Sequence, residues 1–324
     1  MGGQENRGGA PNVGGASAGG GVDGGGTTAK GGAAGSNTSA SGGKTSSGGS
    51  SAKGGTSVAG GTSAKGGTTS SGGAATGGST TSGTTPVTIW IAGDSTVANG
   101  GSACPYGWGG QFASYFNTYV TVKNNAAGGR SIQTWMYEPN VSTTMGSNGE
   151  CVVTETNSTR WAATLSGMKA GDYLFIQFGI NDGSATCDRH VGSARYQALM
   201  TRMAQAALDR GAHPIVMTAA GMIKCSGSTA VASRGFLTET KAVGTALKIP
   251  VIDLHQLSTA LYNTLKFCPL PAGNTDISAS TGGAVGAFFC DDHTHFDQTG
   301  AAQIAGVVAK ALRDQSIPLA AYLK

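Results

Sequence analysis

The sequence predicts an α/β domain, with a central parallel sheet between helices, preceded by a disordered tail. Three observations carry this expectation. Every aromatic residue and all six cysteines of the 324-residue chain lie after Pro86. Short apolar runs rich in β-branched residues recur through that second part. Stretches with helical spacing alternate with those runs, the pattern of a sheet covered by helices on both faces.

Residues 1–86 hold 30 of the 56 glycines and 27 serines and threonines, with no Phe, Trp, Tyr, Leu, Ile or Cys. Such a segment has nothing to bury against the entropy of ordering, so it is expected to be a disordered linker. A flexible chain of that length has a root-mean-square reach of roughly 50 Å. Two matches inside it are rejected on context. Gly15-Ala16-Ser17-Ala18-Gly19 has the spacing of a nucleophile elbow without a strand before it, and Gly43-Lys44-Thr45 echoes a phosphate loop with Thr38 where a glycine belongs.

The tail carries +3 of the net charge of +4, leaving the domain near +1. A nearly neutral domain offers no footprint for nucleic acid, and no run approaches the ~18 apolar residues of a membrane span. An even cysteine count favours disulfides and an oxidising compartment. The chain is therefore expected to be secreted or tethered at the cell surface, although the residues after Met1 lack the regions of a signal peptide.

From residue 87 the elements follow in order. Residues 87–92, 120–122, 173–178, 214–219 and 249–254 are too short and too continuously apolar for helices, and are expected to be strands buried on both faces. Helical spacing is found over 194–212, where Leu199, Met203, Ala206 and Ala207 share a stripe. It recurs over 235–247, and over 298–312 with Ile304, Val307, Val308 and Leu312 inward. In such folds the ligand site lies at the carboxyl ends of the strands.

Those ends carry chemistry. After the first strand stands Gly93-Asp94-Ser95-Thr96, where a serine is either a helix N-cap or a nucleophile helped by a helix N-terminus. After the second comes Ala127-Gly128-Gly129-Arg130-Ser131, either a tight turn or a backbone N–H presented to a ligand. After the third comes Gly179-Ile180-Asn181-Asp182, offering a side-chain amide. Near the C-terminus, Asp292 precedes His295 by three residues, a spacing that lets a carboxylate orient an imidazole acting as general base. A metal held by Asp292, His293 and His295 is the rival reading. His190, His213 and His255 are scattered and supply no second cluster, so neither metal nor cofactor is expected. The ordered set provides a nucleophile, a base, its orienter and oxyanion donors, the inventory for acyl transfer.

This set resembles the SGNH/GDSL hydrolase family. Its four blocks match Gly93-Asp94-Ser95, Gly129 within Gly-Arg-Ser, Gly179-x-Asn181-Asp182 and Asp292-x-x-His295. The resemblance implies a three-layer, flavodoxin-like fold and ester hydrolysis without metal, with Ser95, Asp292 and His295 catalytic and Ser95, Gly129 and Asn181 forming the oxyanion hole. Gly128 stands as an alternative to Gly129. The stretches Gly93-Asp94-Ser95-Thr96-Val97-Ala98, Gly107-Trp108-Gly109 and Asp292-His293-Thr294-His295 are similar to rhamnogalacturonan acetylesterases of carbohydrate esterase family 12. That implies removal of O-acetyl groups from pectic polysaccharide or xylan. The partner is then acetylated polysaccharide, met by a monomeric catalytic domain on its tether.

Trp108, Arg130 and Asp182 are the candidate substrate contacts, with Arg130 able to meet a galacturonate carboxylate but more readily a hydrogen-bond partner within its own loop; Trp135 and Tyr137 are further aromatic candidates, with core or loop packing as the equal alternative. His293 is expected to be a loop residue beside the site. The segments around 139–160 and 268–290 are expected to be loops. Of the 15 pairings open to six cysteines, strand order favours Cys187–Cys225, Cys268–Cys290 would close one loop, and Cys104–Cys151 is the pair that remains. Two rival functions stand beside the acetylesterase: an SGNH lipase, arylesterase or thioesterase acting on longer acyl chains, and a non-catalytic carbohydrate-binding module.

Overall fold

A computed structural model describes residues 83–102, 104–270, 283–292 and 294–324. The expected linker lies outside the described residues except at its end. There Gly83 is tied to the domain, its N–H donating to the Ala321 carbonyl and its own carbonyl accepting from the Asn117 side chain.

In chain order the elements are β1 (Val87–Gly93), α1 (Trp108–Gln111), β2 (Val120–Asn124), α2 (Ile132–Tyr137), β3 (Val141–Met145), β4 (Cys151–Val153), α3 (Thr159–Gly167), β5 (Tyr173–Gln177) and α4 (Ser193–Leu208). There follow β6 (His213–Met217), β7 (Cys225–Ser226), β8 (Thr229–Ala230), α5 (Leu237–Leu247), β9 (Val251–Ile252), α6 (Leu254–Thr264), α7 (Gly283–Gly286) and α8 (Gln298–Asp314). The main sheet has the order β2-β1-β5-β6-β9 with every neighbour parallel. Renumbered within the sheet this is 2-1-3-4-5, the flavodoxin-like order.

Successive strand residues point to opposite faces, so a strand buried on both sides must be apolar throughout. On β1, Ile89 and Ile91 join Phe175, Ile215 and Met217 on one face, covered by Trp108, Phe112, Ile304, Val308 and Leu312. Trp90 and Ala92 face the other way with Leu174, Ile176 and Val216, beneath Trp135, Trp161, Tyr196, Met200 and Met203. The α/β expectation therefore holds, with two apolar layers separated by one sheet.

Two expectations need correction. First, β2 is not buried on both faces: its residues alternate between half-buried and exposed because it is an edge strand. The run 249–254 is likewise divided, since Asp253 caps α6 by accepting from the Gln256 N–H and leaves only two residues to β9. Second, the disulfides are Cys104–Cys290, Cys151–Cys187 and Cys225–Cys268, so none of the three expected pairs forms. Part of 139–160 is the β3–β4 hairpin, which carries Cys151 against the loop after β5; Cys225 and Cys268 meet beside β7 and α6. Residues 271–282, inside the other expected loop, lie outside the described residues, and so does His293.

The Cys104–Cys290 bond closes a separation of 186 residues, against 36 for Cys151–Cys187. Chain-entropy reasoning assigns the longer closure the larger effect, about 2–5 kcal/mol. Non-reducing peptide mapping should recover a Cys104–Cys290 peptide. The C104S/C290S variant should then lose more stability in urea titrations than C151S/C187S, and the opposite order would refute this account.

Candidate active site

Gly93 ends β1, and a side chain there would press within 2.7 Å of the Val97 side chain, so the chain turns sharply against the strand it has just left. The turn closes with the N–H groups of Val97 and Ala98 both donating to the Asp94 carbonyl. No regular helix begins at Ser95, contrary to expectation; α1 starts only at Trp108. Ser95 therefore stands half-buried on a turn, with its Oγ 2.7 Å from His295 Nε2.

His295 Nδ1 is 2.5 Å from Asp292 Oδ2, while Asp292 Oδ1 accepts the backbone N–H groups of Thr294 and His295 at 2.7 and 2.6 Å. Burial works against charge on Asp292. The imidazole and the two amides outweigh it and hold the carboxyl below its ordinary value, so it is an anion at neutral pH. The structure thus brings together the three residues expected to form a nucleophile, base and orienter, although Ser95 and His295 are 200 positions apart.

Beneath Ser95 lies a buried polar chain. Thr96 donates its hydroxyl and its N–H to Asp94 Oδ1, Gln177 Nε2 donates to Thr96 Oγ1, and Trp108 Nε1 donates to Gln177 Oε1. Trp108 is 0% exposed. It therefore cannot stack on a sugar; its expected role as a substrate contact is corrected to that of a brace under the nucleophile turn. Trp135 and Tyr137 are buried too, packed against the helix-covered face of the sheet. Asp94 is buried with its Oδ2 unpartnered among the described residues, and burial pushes its carboxyl up.

On the opposite flank, Gly129 has φ +71, a conformation favoured by glycine, and a side chain on Gly128 would touch Ser95 at 3.7 Å. The N–H groups of Ser95, Gly128 and Gly129 find no acceptor among the described residues. Ser131 caps α2 through a capping box with Thr134, which explains the serine of the Gly-Arg-Ser motif. Asn181, on the turn after β5, donates from Nδ2 to the Arg130 carbonyl at 3.1 Å. That bond joins the second and third loops and leaves one amide hydrogen on Nδ2.

Asp182 is the second corrected contact. It is buried, with Oδ1 accepting from Ile132 N–H at 2.8 Å and Oδ2 from Gly179 N–H at 2.9 Å. Burial foremost, with the charge of Asp94 adding, pushes its carboxyl up to about 7. It fixes the start of α2 against the end of β5 and does not face a substrate. Arg130 pairs with Glu138 at 2.7 Å, which also pairs with Arg160, and Arg130 Nη1 returns to the Gly128 carbonyl. The arginine thus holds its own loop.

Several contributors escaped the sequence reading. Gln177 carried a signal, as the polar residue within an apolar strand run; Glu138 and Arg234 carried none. Arg234 bonds the Ala220 carbonyl and Thr294 Oγ1, beside the Asp292–His295 segment.

A serine hydrogen-bonded to an oriented histidine, at the carboxyl edge of a parallel sheet and flanked by free backbone N–H groups, defines a serine hydrolase suited to acyl esters. A family model described as GDSL-like Lipase/Acylhydrolase matches residues 89–308, and the chain belongs to that family: it is an SGNH esterase. It is similar to the rhamnogalacturonan acetylesterase RhgT of Bacillus subtilis, at 27% identity over 256 residues, covering 74% of this chain and 94% of RhgT. It is also similar to the rhamnogalacturonan acetylesterase of Emericella nidulans, at 24% identity, covering 69% of this chain and 84% of that one. The crystal structure of Bacillus subtilis YxiM superposes with a TM-score of 0.56 at 24% identity, over 72% of this chain and 58% of that chain, and supports the fold.

Glu138 provides a test of the loop. Burial opposes its charge, but Arg130 and Arg160 outweigh that and lower its pKa from 4.5. A depressed carboxylate contributes stability above its unfolded pKa and loses it as pH falls through the folded value. Glu138→Gln should therefore cost about 1 kcal/mol near neutral pH, given partial exposure. That difference should shrink as unfolding is measured at pH values progressively below 4.5. A difference that grows in acid would refute it.

Proposed function

We propose that the chain is a secreted serine acetylesterase that removes O-acetyl groups from plant cell-wall polysaccharide, foremost pectic rhamnogalacturonan. The observation that carries this reading is the Ser95–His295–Asp292 hydrogen-bond relay in a chain aligned with 94% of a rhamnogalacturonan acetylesterase. Export is supported by the three disulfides.

In the reaction, Ser95 Oγ attacks the acetyl carbonyl as its proton passes to His295 Nε2. Asp292, kept anionic by its own hydrogen bonds, stabilises the imidazolium through Nδ1. The oxyanion of the tetrahedral intermediate receives the Ser95 and Gly129 N–H groups and the remaining Asn181 amide hydrogen. Collapse breaks the bond to the sugar oxygen, which takes the proton from His295 and leaves as a hydroxyl. Water then adds to acetyl-Ser95 with His295 again as base, and acetate departs.

Ser95→Ala and His295→Ala should each lower turnover by at least ~10³-fold, and Asn181→Ala by about 10²-fold, with the fold unchanged by circular dichroism. Near-normal acetate release by either of the first two variants would end the proposal. Acetate release from acetylated rhamnogalacturonan, pectin and xylan, beside 4-nitrophenyl esters of rising acyl length, tests the substrate class. A preference for long acyl chains would replace the acetylesterase reading with a lipase-like one.

A further inference from the structure

Three arginines touch the residues of the proposed site, and two are committed. Arg130 is paired with Glu138, and Arg234 is spent on the Ala220 carbonyl and Thr294. The third is Arg189. Its Nη1 lies 3.3 Å from Asn181 Oδ1, its side chain is exposed, and it makes no ion pair among the described residues, not even with its neighbour Asp188.

The loop that carries Arg189 is built to hold it in place. The Cys151–Cys187 disulfide anchors it two residues before, and Val191 N–H donates to the Asp182 carbonyl two residues after. Between these, the fully buried Gln133 donates from Nε2 to the carbonyls on either side of Arg189, at 2.6 Å to Asp188 and 2.7 Å to His190. His190 Nδ1 bonds the Ser184 carbonyl at 2.7 Å. A buried side chain, a covalent bond and a backbone bond thus fix the main chain on either side of Arg189, whose exposed guanidinium rests on Asn181 and whose remaining N–H groups have no partner among the described residues. A guanidinium presents its donors in a rigid fork that matches a carboxylate, and preorganising it lowers the cost of binding.

We propose that Arg189 is a specificity residue that receives a uronate carboxylate of the polysaccharide, on the Asn181 side of the site. This rests on the acetylesterase reading and sharpens it: the preferred acetylated chain carries uronic acid, and a neutral chain lacks the group that Arg189 binds. The domain as a whole is nearly neutral, so recognition is local and does not depend on a broad basic surface.

The test follows hydrolysis of 4-nitrophenyl acetate, a small neutral ester, by the wild type and by Arg189→Gln and Arg189→Lys. Each is measured with oligogalacturonate, with a glucuronate-bearing xylo-oligosaccharide or with neutral xylo-oligosaccharide as inhibitor. The expected result is competitive inhibition by one or both uronate oligomers, stronger than by the neutral one and weakened by added salt. Arg189→Gln should raise the inhibition constant of the uronate oligomer about tenfold, and Arg189→Lys, which keeps the charge without the fork, should recover only part of that loss. The two uronate arms show whether galacturonate or glucuronate is the source.

Equal inhibition of the wild type and Arg189→Gln overturns the proposal. So does a fall in ester turnover with no change in inhibition, which assigns Arg189 to holding Asn181 alone. If the wild type also deacetylates pectin, only this proposal falls. A wild type that neither deacetylates acetylated polysaccharide nor is inhibited by either uronate oligomer overturns the acetylesterase reading as well.

Discussion

The site depends on the parallel register of β1 and β5. Gly93 stands opposite Gln177, so the two strands end level with each other, and the turns that follow them carry Ser95 and Asn181 to the same edge. Gln177 reinforces this register from within, since its amide links Thr96 of the nucleophile turn to Trp108 beyond it. A shift of one residue would point that side chain to the other face of the sheet and break both bonds. Because the interior is close-packed and apolar on both sides, no such shift is available without exposing the strands' aromatic and β-branched residues.

The same edge concentrates buried acids. Asp94 and Asp182 are both withdrawn from water; burial raises the proton preference of each, and the charge of Asp94 adds to the effect on Asp182. Each carboxylate organises a loop. Asp94 gathers the Thr96 hydroxyl and N–H into the turn that bears Ser95, while Asp182 gathers Ile132 and Gly179 and so sets the Gly129 loop against Asn181. Buried polar groups are costly unless satisfied, and here the cost falls on the two loops that flank Ser95.

Much of this was legible in the sequence, for physical reasons. A parallel sheet buried on both faces demands unbroken apolar runs, and 87–92, 173–178 and 214–219 supply them at or next to β1, β5 and β6. The blocks at Ser95 and Asn181 were legible because each follows such a run, and the Asp292–His295 block because its spacing suits a carboxylate and the imidazole it orients. What escaped depends on proximity across the fold. Trp108 has the residue type of a sugar platform, and only the neighbouring Gln177 shows that its ring nitrogen is already bonded in the interior. Asp182 stands next to Asn181 and looks equally available, yet the two side chains point to opposite sides of the loop's purpose, one buried under α2 and one toward the arginines. The disulfides were misassigned because strand order and loop closure say which segments lie near each other and not which Cβ atoms approach to bonding distance.

Cys104 lies on the loop that follows Ser95, and Cys290 lies just before Asp292 and His295. Their bond makes a covalent ring of most of the domain, with Ser95 and His295 just outside the clasp on either side. A single cut of the peptide chain anywhere within that ring cannot let the two halves diffuse apart. Under proteolysis, nicking would loosen a loop while the two sides of the site remained fastened to each other.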